Sequence, residues 1–287
     1  MIEAGTPFHG QQILPADSFL RKLPLIVPVK KRLEFDAIVM ASDILTNSYN
    51  SMRQLAIKIG PDSAGIDEHS VAIAIGACWT IVDQLHAVRQ LLQPEGDPSR
   101  PSGLKTTELL KLLDPAAILR NKMDHLANNL GNLANKSGQR SPLFGSLSYF
   151  HVIDPAEMSG CAITMYSGSL IGEQIVPIVN PVTKTLVLPV GLFQFTAFET
   201  TMEVEPILEA LSAYLAHMGP DLEHQITCAA LVHAAENGLN IEELMASARG
   251  AFSVAMFIGL SPPEGMQQSD GVDLALGDSF AANHKLV

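Results

Sequence analysis

The spacing of apolar residues changes partway along the chain, and this change constrains the fold more than any other feature. Over residues 33–59 apolar side chains recur at intervals of three, four and seven, the period of an amphipathic helix. A second, almost wholly apolar helix is predicted to run to about Leu92, with Asp67 or Ser70 as its N-cap. After residue 138 the helical period gives way to runs of β-branched and aromatic residues. The sequence therefore predicts an α+β protein.

A third long helix is predicted from Pro115 to about Lys136. It follows a loop rich in proline and glycine at residues 93–103 and a short helical stretch at 106–113. Asp114 before Pro115 is a typical helix start, because a carboxylate can cap free backbone amides and proline suits the first helical position. The N-terminal region is thus predicted to be a bundle of three long helices.

The second half has the composition of a small antiparallel sheet followed by helices. Five β-rich segments are separated by Gly, Pro and Asn, with IVNPVTKTLVLP as the clearest hairpin. They predict an antiparallel β-meander with strands at 143–153, 161–170, 173–179, 183–190 and 192–204. Helices are predicted to resume at 206–217, 221–236 and 241–257.

Four regions follow from these patterns. Residues 1–32 contain four prolines and are predicted to form an arm packed on the body, and residues 33–140 form the helical domain. The meander and C-terminal helices, residues 141–260, either pack as one unit with the helical domain or form a second domain. Residues 261–287 are predicted to be a flexible tail.

The net charge of −12 is distributed unevenly. Residues 1–140 carry 15 Lys and Arg against 14 Asp and Glu, whereas residues 141–287 carry 3 against 16. An acidic surface repels phosphate, so contact with a nucleic acid would have to use the first half. The start of the chain does not have the pattern of a signal peptide, and the apolar run 72–82 is too short to span a bilayer. A cytoplasmic location without membrane contact is expected.

The cysteines and histidines do not form a metal-binding motif. Cys78, Cys161 and Cys228 are widely spaced in apolar surroundings, which predicts buried, reduced thiols. His217 and His224 are the closest pair of histidines and are seven residues apart. No metal and no cofactor is predicted.

The predicted third helix has two distinct faces at 100° per residue. One arc is apolar and predicted to face a core: Leu119, Met123, Leu126, Leu130 and Leu133. Another, roughly 150° away by the same geometry, is polar and has Arg120 and Asp124 beside it: Asn121, His125, Asn128 and Asn132. Asparagine is a poor helix former and brings no charge, so this stripe indicates a surface that hydrogen-bonds another copy, a nucleotide or a neighbouring domain. Alternatively, Asp124 pairs with Arg120 one turn earlier and the asparagines contact the β-rich half.

The six residues from Arg120 to His125, RNKMDH, resemble the RNxxxH motif of the HEPN superfamily of helical domains. The resemblance covers the three helices, about a third of the chain. It implies a metal-independent endoribonuclease of the toxin or defence type, whose active cleft forms when two copies meet through helix 115–136. Arg120 would then hold the scissile phosphate, His125 would move a proton and Asn121 would orient the imidazole or the substrate. Asp83, Asp124 and Asn128 would be supporting polar residues, and RNA and a second copy would be the partners.

A polar ridge on the second helix supplies the remaining candidates. Trp79, Asp83, His86 and Arg89 recur at intervals of four, three and three, so they share one side of the helix. Asp83 is predicted to pair with Arg120 or Arg89, or to form a structural pair with His86.

Two further function classes stay open beside the ribonuclease. A non-catalytic interaction or nucleotide-binding protein would place the same polar residues in internal contacts. A small-molecule binding module would instead use a pocket formed by the sheet and the last helices.

Overall fold

The computed structural model of the chain describes residues 12–61, 66–93, 104–128, 142–157, 159–168 and 189–246. These residues belong to one compact unit, Met1–Arg249, and a second unit comprises Gly250–Val287. The described part combines helices with an antiparallel sheet, which confirms the predicted α+β class. Its elements are α1 (Val29–Ile59), α2 (Glu68–Leu92), α3 (Leu104–Leu112), α4 (Asp114–Asp124), β1 (Ser146–Asp154), β2 (Ser159–Tyr166), β3 (Val190–Ala197), β4 (Thr200–Glu203), α5 (Val204–Asn237) and α6 (Ile241–Leu244).

The segment before α1 packs along α1 and α5. The backbone N–H of Ile13 donates to Oγ1 of Thr46 at 3.1 Å, and the hydroxyl of Ser212 donates to the carbonyl of Ile13 at 3.0 Å. Ile13 and Leu14 are fully buried. α1 begins at Val29, directly after Pro28, four residues earlier than its apolar periodicity predicts.

α2 is the central helix of the described core. Asp67 accepts a hydrogen bond from the backbone N–H of Ser70 at 2.6 Å, which confirms one of the two predicted caps. By length and composition α2 is the one described helix that could cross a membrane. Its side chains Cys78, Ile81 and Leu85 are fully buried and the helix packs against α1, whereas Ile73 is 44% exposed.

The helix predicted at 115–136 starts within one residue of its predicted start, but the predicted cap at Asp114 and the predicted continuity are wrong. α4 begins at Asp114, whose carboxylate binds Arg89 instead of capping the helix, with Oδ1 2.8 Å from Nη2. It ends at Asp124, because the backbone N–H of His125 bonds the carbonyl of Met123 in a tight turn. Helical backbone returns at 126–128, and the rest of the prediction lies outside the described residues. Asn, Asp and His are all poor helix formers, which accounts for an interruption here.

The sheet has the strand order β2-β1-β3-β4 with every pair antiparallel. A simple meander would pair strands in sequence order, so that part of the prediction is wrong: β1 lies between β2 and β3. The predicted strand 192–204 is also wrong, because Phe198 and Glu199 form a turn between β3 and β4. The predicted strands 173–179 and 183–190, with their hairpin, lie outside the described residues except that Val190 begins β3.

The two helices predicted at 206–217 and 221–236 are one helix, α5, with Pro220 inside it. Proline removes one backbone donor, but Leu215 and Gly219 before it are buried and Leu222 after it packs against the core, which keeps the helix on the body. The helix predicted at 241–257 ends at Leu244, and the residues from 247 onward, including the predicted tail, lie outside the described part.

Helices and sheet share one hydrophobic core. The ring of Phe193 on β3 lies 5.8 Å from Tyr49 on α1 and 5.5 Å from Tyr149 on β1. Trp79 on α2 meets Phe195 on β3 edge-on at 5.3 Å. The α2 surface therefore lies directly against the sheet, and this contact positions the candidate sites.

Candidate functional site

Arg120, the predicted phosphate-binding residue, lies between two carboxylates. Its Nε is 2.9 Å from Oδ1 of Asp83 on α2, and its Nη1 forms an ion pair with Asp124 one helical turn later. The three side chains are between 35% and 51% exposed. Both pairings were among the predicted alternatives. The cluster combines one guanidinium with two carboxylates, so its formal charge is negative.

Asn121 and His125, the other two defining residues of the RNxxxH motif, lie on the surface at the end of α4. Asn121, His125 and Asn128 are exposed, and His125 is the C-cap of α4. The helix that was to hold Asn121 and His125 one regular turn apart ends between them. The apolar arc faces the core as predicted, with Leu119 fully buried and Met123 and Leu126 packed against it.

Lys122 is not among the candidates predicted from the sequence, but it joins α4 to the sheet. Its ammonium donates to the carbonyl of Phe198 at 2.6 Å and to Oγ1 of Thr200 at 3.1 Å. The RNxxxH segment is thereby anchored on the β3–β4 turn. No sequence signal could have found this contact, because it joins residues 76 and 78 positions apart.

The polar ridge on α2 makes contacts both in the core and with α4. The indole N–H of Trp79 donates to the carbonyl of Phe144 at 3.0 Å, while Arg89 binds Asp114 and leaves Asp83 to Arg120. Of the predicted pairings of Asp83, the one with Arg120 is therefore the one that forms.

An open cleft of about 820 Å³ lies between the N-terminal half of α2 and the ends of β1 and β2. Most of its lining side chains are apolar or aromatic, and two carboxylates stand at the start of α2: Ile66, Asp67, Glu68, Val71, Ala72, Ile75, Gly76, Trp79, Phe144, Tyr166, Ser167 and Gly168. Its volume and its mostly apolar lining are typical of a small-molecule site. Trp79 is among the candidates that the spacing on α2 indicates, but no sequence pattern predicts this cleft.

Two polar groups of the cleft have distinctive environments. The hydroxyl of Tyr166 is buried and has no hydrogen-bond partner among the described residues, and burial raises its pKa. The hydrogen bond from the backbone N–H of Ser70 lowers the pKa of Asp67, which keeps this carboxyl ionised. Buried polar groups are normally paired, so this hydroxyl is an exception in the fold, and its burial keeps it out of reach of a ligand in the open cleft.

A buried carboxyl group lies elsewhere in the fold. Glu205, in the first turn of α5, accepts the backbone N–H of Phe193 at 2.9 and 3.1 Å and the hydroxyl of Tyr49 at 3.3 Å. Phe193 follows Leu192, which has a φ of 58°, at an irregularity in the β1–β3 register. Glu205 thus binds an amide next to a β-bulge, a structural role.

The three cysteines differ in exposure, which corrects the expectation that all are buried. Cys78 is buried, Cys161 is half-buried and Cys228 is exposed. Burial raises the pKa of the Cys78 and Cys161 thiols. In the described part of the chain, no three His, Cys, Asp or Glu side chains are grouped to hold a metal ion.

Comparison of the chain with protein-family models, with curated proteins and with solved structures gave no match.

Proposed function

We propose that the protein is a non-catalytic binding protein whose α2 cleft takes an apolar or aromatic ligand carrying a cationic group. The observation that carries this proposal is the cleft itself, in which the indole of Trp79 and an apolar wall stand beside two carboxylates. An aromatic wall stabilises an apolar ring by burial and by ring contacts. Asp67 and Glu68 are the charged residues of the lining, so they favour a cation over an anion.

The sequence provides a direct probe, because Trp79 is its single tryptophan. Titration with phenethylamine should change the fluorescence of Trp79, and 3-phenylpropionate, a similar molecule of opposite charge, should bind more weakly. Glu68→Gln should weaken phenethylamine binding about two- to fivefold, the effect of one exposed charge pair. Glu157→Gln, an exposed carboxylate on the β1–β2 turn, is the matched control and should leave binding unchanged.

The result that contradicts this proposal is an indole emission that neither compound changes. Equal affinities for the amine and the acid, unaltered by Glu68→Gln, would also contradict it, because the carboxylates would then have no part in recognition.

The metal-independent ribonuclease stays a second proposal, supported by the exposed Asn121 and His125 and the partly exposed Arg120 around the end of α4. This second proposal includes a homodimer through residues 115–136, RNA as the partner and a cytoplasmic location. The ion pairs of Arg120 with Asp83 and Asp124 weigh against it, since a phosphate would have to displace a carboxylate.

RNA cleavage in the presence of a chelator tests the ribonuclease. The proposal requires 2′,3′-cyclic phosphate or 3′-phosphate ends from the wild type and their loss in Arg120→Ala and His125→Ala. Intact RNA with the folded wild type, with and without metal, would leave these residues with a structural role.

A further inference from the structure

The exposed face of α5 carries two pairs of metal-ligating side chains. His217 Nε2 lies 3.5 Å from Oδ2 of Asp221, and His224 Nε2 lies 3.8 Å from Sγ of Cys228. The members of each pair are four residues apart, so they project from one side of the helix. All four residues are exposed.

The distances within each pair suit chelation of one ion. Tetrahedral Zn²⁺ with Zn–N of about 2.0–2.1 Å, Zn–O of about 2.0–2.2 Å and Zn–S of about 2.3 Å requires its donors to lie about 3.3–3.6 Å apart. The observed separations of 3.5 and 3.8 Å match this bite to within a few tenths of an ångström. Each pair thus supplies two of the four ligands that a closed site needs.

The two pairs are related by one heptad. Positions 217, 221, 224 and 228 alternate in steps of four and three, which keeps all four side chains on a single stripe of α5. If two copies of α5 pack antiparallel around residues 222 and 223, the first pair of one copy faces the second pair of the other. A two-fold axis makes the two resulting sites equivalent.

We propose that His217 and Asp221 of one copy, with His224 and Cys228 of a second copy, bind a divalent transition-metal ion of the Zn²⁺ class. Two such sites form per dimer, and each is incomplete in a single chain. Binding releases the thiol proton of Cys228 to solvent and leaves the thiolate on the metal. Imidazole and thiolate favour Zn²⁺ or Co²⁺ over Mg²⁺ or Ca²⁺, which prefer oxygen ligands. Leu231 and Val232, both more than half exposed, follow the stripe and add apolar surface to the same face.

Titration of the full chain with Co²⁺ tests this proposal. The wild type should give the thiolate-to-cobalt and tetrahedral d–d absorption bands, with a doubling of molecular mass in sedimentation and one metal ion per chain. The double variants His217→Ala/Asp221→Ala and His224→Ala/Cys228→Ala should each lose the bands and the dimer. His233→Ala, on the same helix but off the stripe, should behave as the wild type.

Mixing the two double variants gives the decisive result. In the antiparallel arrangement neither variant can build a site alone, but the mixture can build one complete site per mixed dimer. Recovery of the bands at about half the wild-type intensity per chain is expected, because one site per dimer replaces two. Circular dichroism should show that both variants stay helical. Absence of the bands from the wild type, their persistence in either variant alone or failure of the mixture to restore them would overturn the proposal.

Discussion

Glu205 shows how one residue can couple the stability of this fold to pH. Burial raises its pKa to about 7, against the hydrogen bonds from Phe193 and Tyr49 that favour the ionised form. The unfolded chain has the ordinary value of about 4.3, so between these two values the folded state binds more protons than the unfolded state. The stability that this group contributes is complete below about pH 4.3 and is lost as the pH rises through about 7.

We therefore predict that Glu205→Gln removes a pH dependence that the wild type has. A shift of this size corresponds to a fall in unfolding free energy on the order of 3 kcal/mol across the window. The measurement is urea unfolding of both proteins between pH 4 and pH 8, and the quantity to compare is the difference between their free energies at each pH. A difference that stays constant over this range would show that Glu205 does not titrate there.

At the scale of the elements, the β3–β4 turn has backbone conformations that its residues rarely adopt. Phe198 and Glu199 have φ values of 49° and 65°, which is the signature of a type I′ hairpin turn. Such turns normally use Asn and Gly, and the absence of both explains why this stretch is read from sequence as one strand. Packing holds Phe198 in this turn, because its ring is buried and lies 6.2 Å from the ring of Trp79.

The strain at Glu199 gives a prediction with an internal control. Glu199→Gly should make the protein more stable than Glu199→Ala by about 1 kcal/mol, because glycine adopts a positive φ without steric cost and alanine does not. Both variants remove the same exposed side chain, so its own interactions cancel in the comparison. The unfolding free energies of the two variants are the readout, and a more stable alanine variant would show that the turn is not left-handed.

Local features of this fold could be predicted from the sequence, whereas long-range ones could not. The cap at Asp67 and the Arg120–Asp124 pair depend on residues within one helical turn, so spacing alone indicates them. The pairing of Asp83 with Arg120 was one of several possibilities, and only the packing of α4 on α2 selects it. The sequence predicts two helices, 206–217 and 221–236, but the helix continues through Pro220 because tertiary contacts outweigh one lost hydrogen bond.

At the scale of the whole molecule, the candidate sites arise where distant segments meet. The cleft combines residues 66–79 with residues 144 and 166–168, and no periodicity in the sequence relates these stretches. Cys228 was expected to be buried because its neighbours are apolar, but the second half of α5 has few buried positions. Apolar composition is therefore a poor guide to burial at the exposed end of α5.

Ligand recognition in the α2 cleft can be followed by ¹H–¹⁵N NMR of the labelled protein with added phenethylamine. The single indole N–H of Trp79 gives a unique signal, which reports on its bond to the carbonyl of Phe144. We predict saturable shifts of this signal and of the amides of Gly76 and Ser167, with Asn121 and His125 unaffected. Shifts confined to the α4 residues, or no saturable shift of the indole signal, would contradict this prediction.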